Sequence, residues 1–306
     1  MIRAHHLAKQ FGSVTAVHDI TLEVAAGEVL ALLGPNGAGK TTTLRMLCSL
    51  LRPSAGWATV AGYDTVADAP QVRRVVGLLT ELPGFYGRMS AQHYLAFFGQ
   101  LQALPPARQG QRAEELLRYF GLWEDRARPI GGFSKGMRQK LALARTLLHD
   151  PQVVMLDEPT SAMDPASAKS VRDLIRGLRA ADRAIIICTH NLAEAEALAD
   201  RIAIIRRGRI VAQGTARELK QGLLGLPRFE VRFQGTVNPR LLSLDGLVHI
   251  EEQGVDWVRY ATPDPATANP LLLRQLVGGG AAVTSLSEVP QSLEAVYLRI
   301  VEEEAG

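Results

Sequence analysis

The chain has 306 residues, 47% of them hydrophobic and 21% charged; this allows two domains with ample cores and excludes a small stapled peptide, a disordered chain and a collagen-like repeat. Its 34 Lys and Arg against 31 Asp and Glu are dispersed, without the basic block that marks a nucleic-acid arm. Cys48 and Cys188 sit apart in apolar runs and read as buried reduced thiols. No apolar stretch approaches the roughly 18 residues of a membrane span, and the N-terminal residues lack a signal peptide's apolar segment, so a soluble intracellular chain is expected.

Taken in chain order, Glu28–Leu33 (EVLALL) predicts a buried strand, and Thr42–Leu51 carries apolar residues at helical spacing. Between them, Gly34-Pro35-Asn36-Gly37-Ala38-Gly39-Lys40-Thr41 fits GxxxxGK[ST] without a mismatch. Such a loop wraps backbone N–H groups around phosphate oxygens at a positive helix end. Lys40 is expected to reach the β- and γ-phosphates and the Thr41 hydroxyl to ligate Mg²⁺. Further on, Ser134 is an N-cap candidate for a helix running through Arg145. Val153–Leu156 forms an apolar strand that ends in Asp157-Glu158, a pair that a parallel sheet would deliver to its C-terminal edge. Asp157 is expected to hold Mg²⁺, largely through water, and Glu158 to polarise an attacking water. Another β-branched strand, Ile187-Cys188-Thr189, ends at His190.

Residues 1–226 hold 28 Lys and Arg against 20 Asp and Glu, whereas 227–306 hold 6 against 11. With Gly225 and Pro227 at the break, this shift predicts a domain boundary. Beyond it, 228–234, 247–251, 255–261 and 281–287 read as strands, with helices near 269–277 and 290–303. That order is consistent with a small β-α-β-β-α-β unit, in which no catalytic constellation is found.

The segment Phe133-Ser134-Lys135-Gly136-Met137 resembles the LSGGQ signature of ATP-binding cassette (ABC) proteins, with Phe133, Lys135 and Met137 as departures and Ser134 and Gly136 kept. Ser161-Ala162-Met163-Asp164 resembles the D-loop of that family. His190 resembles its switch histidine and Phe11 the aromatic that stacks on adenine. At the Q-loop the aligned residue is Glu81, a carboxylate that can still ligate Mg²⁺ but adds negative charge beside the γ-phosphate and cannot donate as an amide does.

The resemblance implies an α/β P-loop NTPase cassette (1–222), with a mixed sheet and a helical subdomain at about 83–150. A C-terminal α+β accessory or dimerisation domain (227–306) would follow. It implies an ATPase in which Lys40, Glu158 and His190 are catalytic. Phe11, Gly34, Pro35, Asn36, Gly37, Ala38, Gly39, Lys40, Thr41, Thr42, Glu81, Ser134, Gly136, Met137, Asp164 and His190 would bind ATP, and Thr41, Asp157 and Glu81 the Mg²⁺. Two copies, or one and a related cassette, would close head to tail around ATP on the cytoplasmic side of a membrane and drive separate transmembrane permease subunits, with no nucleic acid as partner. The aromatic stretch with Phe85, Tyr86, Tyr94, Phe97 and Phe98 would supply core and a docking groove for a coupling helix. The tail Ser292-Leu293-Glu294-Ala295-Val296-Tyr297-Leu298 resembles that of ABC-2-type exporter cassettes. A soluble ABC ATPase acting on nucleic acid or the ribosome stays open as an alternative. The single cassette, the lack of a long insertion and the lack of zinc cysteines favour the transporter.

Overall fold

A computed structural model describes residues 1–235, 246–289 and 292–297. The chain divides into two compact units, Met1–Thr215 and Ala216–Gly306.

The first unit begins with the antiparallel strands β1 (Ile2–Phe11) and β2 (Val14–Val24), followed by β3 (Val29–Leu33), the phosphate-type loop and helix α1 (Lys40–Leu47). Next come β4 (Ala55–Val60), β5 (Tyr63–Asp64), α2 (Ala69–Val75) and β6 (Val76–Leu79). A helical stretch holds α3 (Ala91–Leu101), α4 (Pro106–Tyr119) and α5 (Lys135–Thr146). The chain then alternates through β7 (Val153–Asp157), α6 (Pro165–Arg176), β8 (Ala184–Thr189) and α7 (Leu192–Leu198), and closes with β9 (Arg201–Arg206) and β10 (Arg209–Gly214).

These strands form one sheet in the order β5-β4-β1-β2-β10-β9-β3-β8-β7-β6. From β9 to β6 the pairing is parallel; beyond β9 the sheet continues through β10, β2, β1, β4 and β5, antiparallel except where β10 meets β2. β3, β7 and β8 are buried along their whole length, as expected of parallel strands covered on both faces. Alternation sends their side chains to two cores. Val154, Leu156, Ile185 and Ile187 pack with the helical stretch, while Val153, Met155, Ile186 and Cys188 pack with α1 and the antiparallel strands. The sheet is thus a rigid partition whose C-terminal edge carries β3, β7 and β8 side by side.

Helix α1 ends earlier than its apolar spacing suggests. Ser49 adopts a left-handed conformation (φ 57°), and Leu50 N donates back to Arg45 O at 2.9 Å while Ser49 N donates to Met46 O. This hydrogen-bond pattern terminates helices irrespective of the hydrophobic pattern that follows.

In the second unit, α8 (Ala216–Leu224) precedes β11 (Arg228–Gln234), β12 (His249–Gln253), β13 (Trp257–Ala261), α9 (Pro265–Gly278) and β14 (Ala282–Glu288). The sheet order is β12-β13-β11-β14, all antiparallel, the strand order of a split β-α-β arrangement. A helix between β11 and β12 would fall on residues 236–245, outside the described ones, as does most of the helix expected at 290–303; residues 293–297 are helical. Val255 and Asp256, read from sequence as strand, instead lie in the hairpin turn, where Gly254 N donates to Trp257 O at 2.8 Å and Val255 is exposed. Helix α9 starts before the expected residue 269 because Asp264 caps it, accepting from Thr267 N, with Pro265 in its first turn and Pro270 carried inside.

Gly77 on β6 lies so close to α5 that a Cβ there would stand 2.3 Å from the Thr146 carbonyl oxygen. Gly77→Ala must move either strand or helix, and a loss of about 1–3 kcal/mol is expected in urea denaturation.

Candidate active site

The loop from Gly34 to Gly39 joins β3 to α1, and Lys40 is the first residue of that helix. Gly39 has φ 106°, and a Cβ there would lie 2.8 Å from the Ala16 carbonyl oxygen, so the tight turn into the helix requires glycine. Lys40 is buried. Its Nζ donates to the carbonyl oxygens of Gly34 (2.5 Å) and Pro35 (3.2 Å) and stands 3.3 Å from Glu158 Oε1. Glu158 follows β7 directly, and its other oxygen meets His190 Nδ1 at 2.8 Å, just past the end of β8. An ammonium, a carboxylate and an imidazole from three strand ends therefore form one connected line.

Glu158 holds this place in a left-handed conformation (φ 52°). A non-glycine residue pays about 1–3 kcal/mol for such a backbone. Its N–H donates to Cys188 O at 2.9 Å and its carbonyl accepts from Ser161 N, so the neighbouring strand and the next turn together impose the conformation.

Asp157 lies beside it, with the Thr41 hydroxyl near its carboxylate. Burial raises its carboxyl above the ordinary carboxylate range; the nearby Thr41 hydroxyl and Lys40 pull it down, whereas the negative charges of Glu158 and Glu81 push it further up. Its Oδ1 is buried without a hydrogen-bond partner. A cleft of about 450 Å³ opens over these groups, lined by Asn36, Lys40, Thr41, Thr42, Glu81 and Glu158.

The other expected ligand-binding residues lie apart from that cleft's lining. Phe11 ends β1, about half exposed, with Lys9 Nζ 5.2 Å from its ring centre. Ser134 caps α5 by accepting from Met137 N at 3.2 Å, which places Gly136 and Met137 in the first turn of that helix. Asp164 caps α6, accepting from Ser167 N. The strand ends bring the phosphate loop, Glu81, Asp157, Glu158 and His190 together; they do not bring the signature segment to the cleft of the same chain.

Three contacts were not foreseen. Lys135, a cation in the first turn of a helix and so opposed to its dipole, donates instead to Ala162 O at 2.7 Å. Gln139 donates to Pro159 O at 2.7 Å, tying α5 a second time to the segment after Glu158. Glu194 is buried and accepts from the Thr160 hydroxyl at 2.6 Å. Its one sequence signal is the Asn191-Leu-Ala-Glu194 spacing of a helix cap, which gives no hint of burial.

A phosphate-type loop and a Lys–Glu–His line at the C-terminal edge of a parallel sheet define a P-loop nucleotide hydrolase. The comparisons narrow the class. A family model described as ABC transporter matches residues 17–161. The chain is 36% identical to an uncharacterized ABC transporter ATP-binding protein, YxlF, of Bacillus subtilis (strain 168), over 98% of this chain and 99% of that protein. It is also 36% identical to the daunorubicin/doxorubicin resistance ATP-binding protein DrrA of Streptomyces peucetius, over 98% of this chain and 92% of the relative. A solved ATP-binding subunit of an ABC transporter is similar with a TM-score of 0.66 at 30% identity, over 74% of this chain and 94% of that one.

The chain belongs to the ATP-binding subunits of ABC transporters. It has the α/β cassette fold and is an ATPase. The reading as an ABC ATPase acting on nucleic acid or the ribosome is thereby set aside.

The proximity of Glu81 to Asp157 has a measurable sign. Glu81→Gln removes a negative charge that opposes ionisation of Asp157, so the Asp157 midpoint should fall in a carboxyl-carbon NMR titration; an unmoved midpoint would show that the two groups do not interact.

Proposed function

We propose that the chain powers export through separate transmembrane subunits, hydrolysing ATP in a head-to-tail pair of cassettes on the cytoplasmic face of a membrane. The observation that carries the hydrolytic part is the line Lys40–Glu158–His190, whose ammonium and carboxylate are buried and whose imidazole is half exposed. Lys40 neutralises the β- and γ-phosphates, and His190 contacts the γ-phosphate. Glu158, ion-paired with Lys40 through one oxygen and in contact with His190 through the other, takes the proton of the attacking water. The loop residues Gly34 to Gly39 and Thr42 cradle the phosphates, and Phe11 offers its exposed face to adenine. In such a reaction the protein mostly positions groups and neutralises charge.

Mg²⁺ fits the oxygen set. The Thr41 hydroxyl, the partnerless Asp157 Oδ1 and the Glu81 carboxylate are hard donors, and phosphate oxygens and water would complete the shell. The ion would supply charge neutralisation on the phosphates.

The pairing of cassettes follows from what the single chain leaves apart. Ser134, Gly136 and Met137 stand at a helix N-terminus outside the chain's own cleft, where a partner's γ-phosphate would meet the Ser134 hydroxyl and the backbone N–H groups that Ser134 does not already cap. Asp164 lies at the head of α6 in the segment that would meet the partner. The cassette (1–222) carries this chemistry, with residues 83–150 as its helical subdomain, and 227–306 serve as an accessory or dimerisation domain. Export is supported by the name of the drug-resistance relative and by the resemblance of the tail to those of exporter cassettes.

The aromatic stretch has one wholly buried member, Tyr94, whose hydroxyl donates to Gly84 O and accepts from Arg145. Tyr86 is 55% exposed and packs edge-on against Phe97. A cavity of about 240 Å³ lined by Leu50, Val76, Leu78, Phe98, Arg145 and His149 lies in the same unit. This surface is the docking site assigned to the coupling helix of a transmembrane subunit.

Two experiments test the reading. Glu158→Gln should keep ATP binding, lose about two orders of magnitude or more in turnover and accumulate dimers with ATP, whereas Lys40→Ala should weaken nucleotide binding itself; normal turnover in Glu158→Gln would sink the assignment. Changing Phe85 and Tyr86 together to Ala should abolish co-purification with the membrane subunit while ATP binding persists. Intact assembly and coupling would move the docking surface elsewhere.

A further inference from the structure

Glu194 is 1% exposed, more deeply buried than either Lys40 or Glu158. A buried carboxylate is costly unless it is fully hydrogen-bonded, and an apolar residue of similar size would generally serve packing better. Its partners show what it is placed to do. Thr160, two residues after Glu158, donates its hydroxyl to Glu194 Oε1 at 2.6 Å. Thr189, the residue before His190, has its hydroxyl near enough to the Glu194 carboxyl to favour its ionised form, and its oxygen accepts from Asn191 N at 3.0 Å. Both threonines are buried. One carboxylate thus joins the segment that carries Glu158 to the segment that carries His190.

A helix-capping role does not account for this arrangement. Glu194 is the third residue of α7, where a glutamate usually reaches back to the N–H of the cap residue. Here the Asn191 N–H is taken by Thr189, and Asn191 itself caps the helix by accepting from Glu194 N at 3.1 Å. The carboxylate crosses instead to a residue 34 positions away in sequence. Burial raises its pKa, opposed by the two threonine hydroxyls and Arg172 and reinforced by the charge of Glu158.

We propose that Glu194 is a positioning residue for ATP hydrolysis: through Thr160 and Thr189 it holds the ends of β7 and β8 so that Glu158 and His190 stay in contact at 2.8 Å. It touches neither nucleotide nor water. Its removal lets the strained turn at Glu158 relax and the imidazole drift from the carboxylate, so the chemical step slows while the phosphate loop still binds ATP. This inference rests on the assignment of Glu158 and His190 to hydrolysis.

The test uses the full chain and measures melting, ATP affinity, kcat and KM for Glu194→Ala, Glu194→Gln, Thr160→Val and the double variant Glu194→Ala/Thr160→Val, with Glu158→Gln in parallel. Glu194→Ala should lower kcat by about tenfold or more with KM for ATP within about twofold. Glu194→Gln, which keeps the size and one acceptor oxygen, should fall between it and the wild type. Thr160→Val should show a smaller loss of the same kind, and the double variant should be no slower than Glu194→Ala alone, because the contact is already gone.

A folded Glu194→Ala with wild-type kcat, or losses that multiply in the double variant, would overturn the proposal. If Glu194→Ala does not fold, undiminished kcat in both Glu194→Gln and Thr160→Val overturns it equally. Retained turnover in Glu158→Gln would overturn the underlying assignment, and the bracing role with it; a dead Glu158→Gln beside a fully active Glu194→Ala removes only the latter.

Discussion

The ammonium of Lys40, buried between two loop carbonyls and the carboxylate of Glu158, is the interaction on which the site depends. Taking an ion from water costs several kcal/mol, which a single opposite charge seldom recovers. The fold offsets that cost by giving the ammonium two carbonyl oxygens as well as the carboxylate, and by giving the carboxylate an imidazole on its other side. Each group is placed by a different element. The carbonyls come from the turn after β3, the carboxylate from the end of β7 and the imidazole from the end of β8. A parallel sheet places three such ends on one edge, and its two covered faces bury the ammonium and the carboxylate, which strengthens that ion pair, while the imidazole stays half exposed.

That requirement explains much of the remaining architecture. The parallel strands are almost continuously apolar because helices cover one face and the antiparallel strands with α1 the other. Cys48 and Cys188 belong to the second core. Burial raises both thiols and Cys48 Sγ lies 3.2 Å from Met155 Sδ, so they act as small apolar side chains and not as nucleophiles. The helical stretch is joined to the site by short polar links, Lys135 to Ala162 O and Gln139 to Pro159 O. The signature helix cannot shift without pulling on the turn that follows Glu158, a mechanical path between two regions that share no ligand in the single chain. At the other end of α5, the close approach of Gly77 to Thr146 fixes the strand from which the Glu81 loop departs.

The amino-acid sequence alone determined the features that depend on local chemistry. The phosphate loop, the strand ending in Asp157-Glu158, His190 at the end of its strand and Ser134 as a helix cap are each encoded within a few residues, because glycine conformations, caps and strand ends are set by neighbours in the chain. The folded structure decided the rest. Ser49 stopped α1 although apolar residues continue beyond it, and packing alone separated buried Tyr94 from exposed Tyr86 within one aromatic run. The Glu158–His190 contact and the buried Glu194 with its two threonines depend on β7 pairing with β8 in the register that sets Asp157 opposite Cys188. Side chains 32 and 34 residues apart meet there because a sheet register sums the preferences of whole strands and the cores on both faces, a quantity that no local spacing contains.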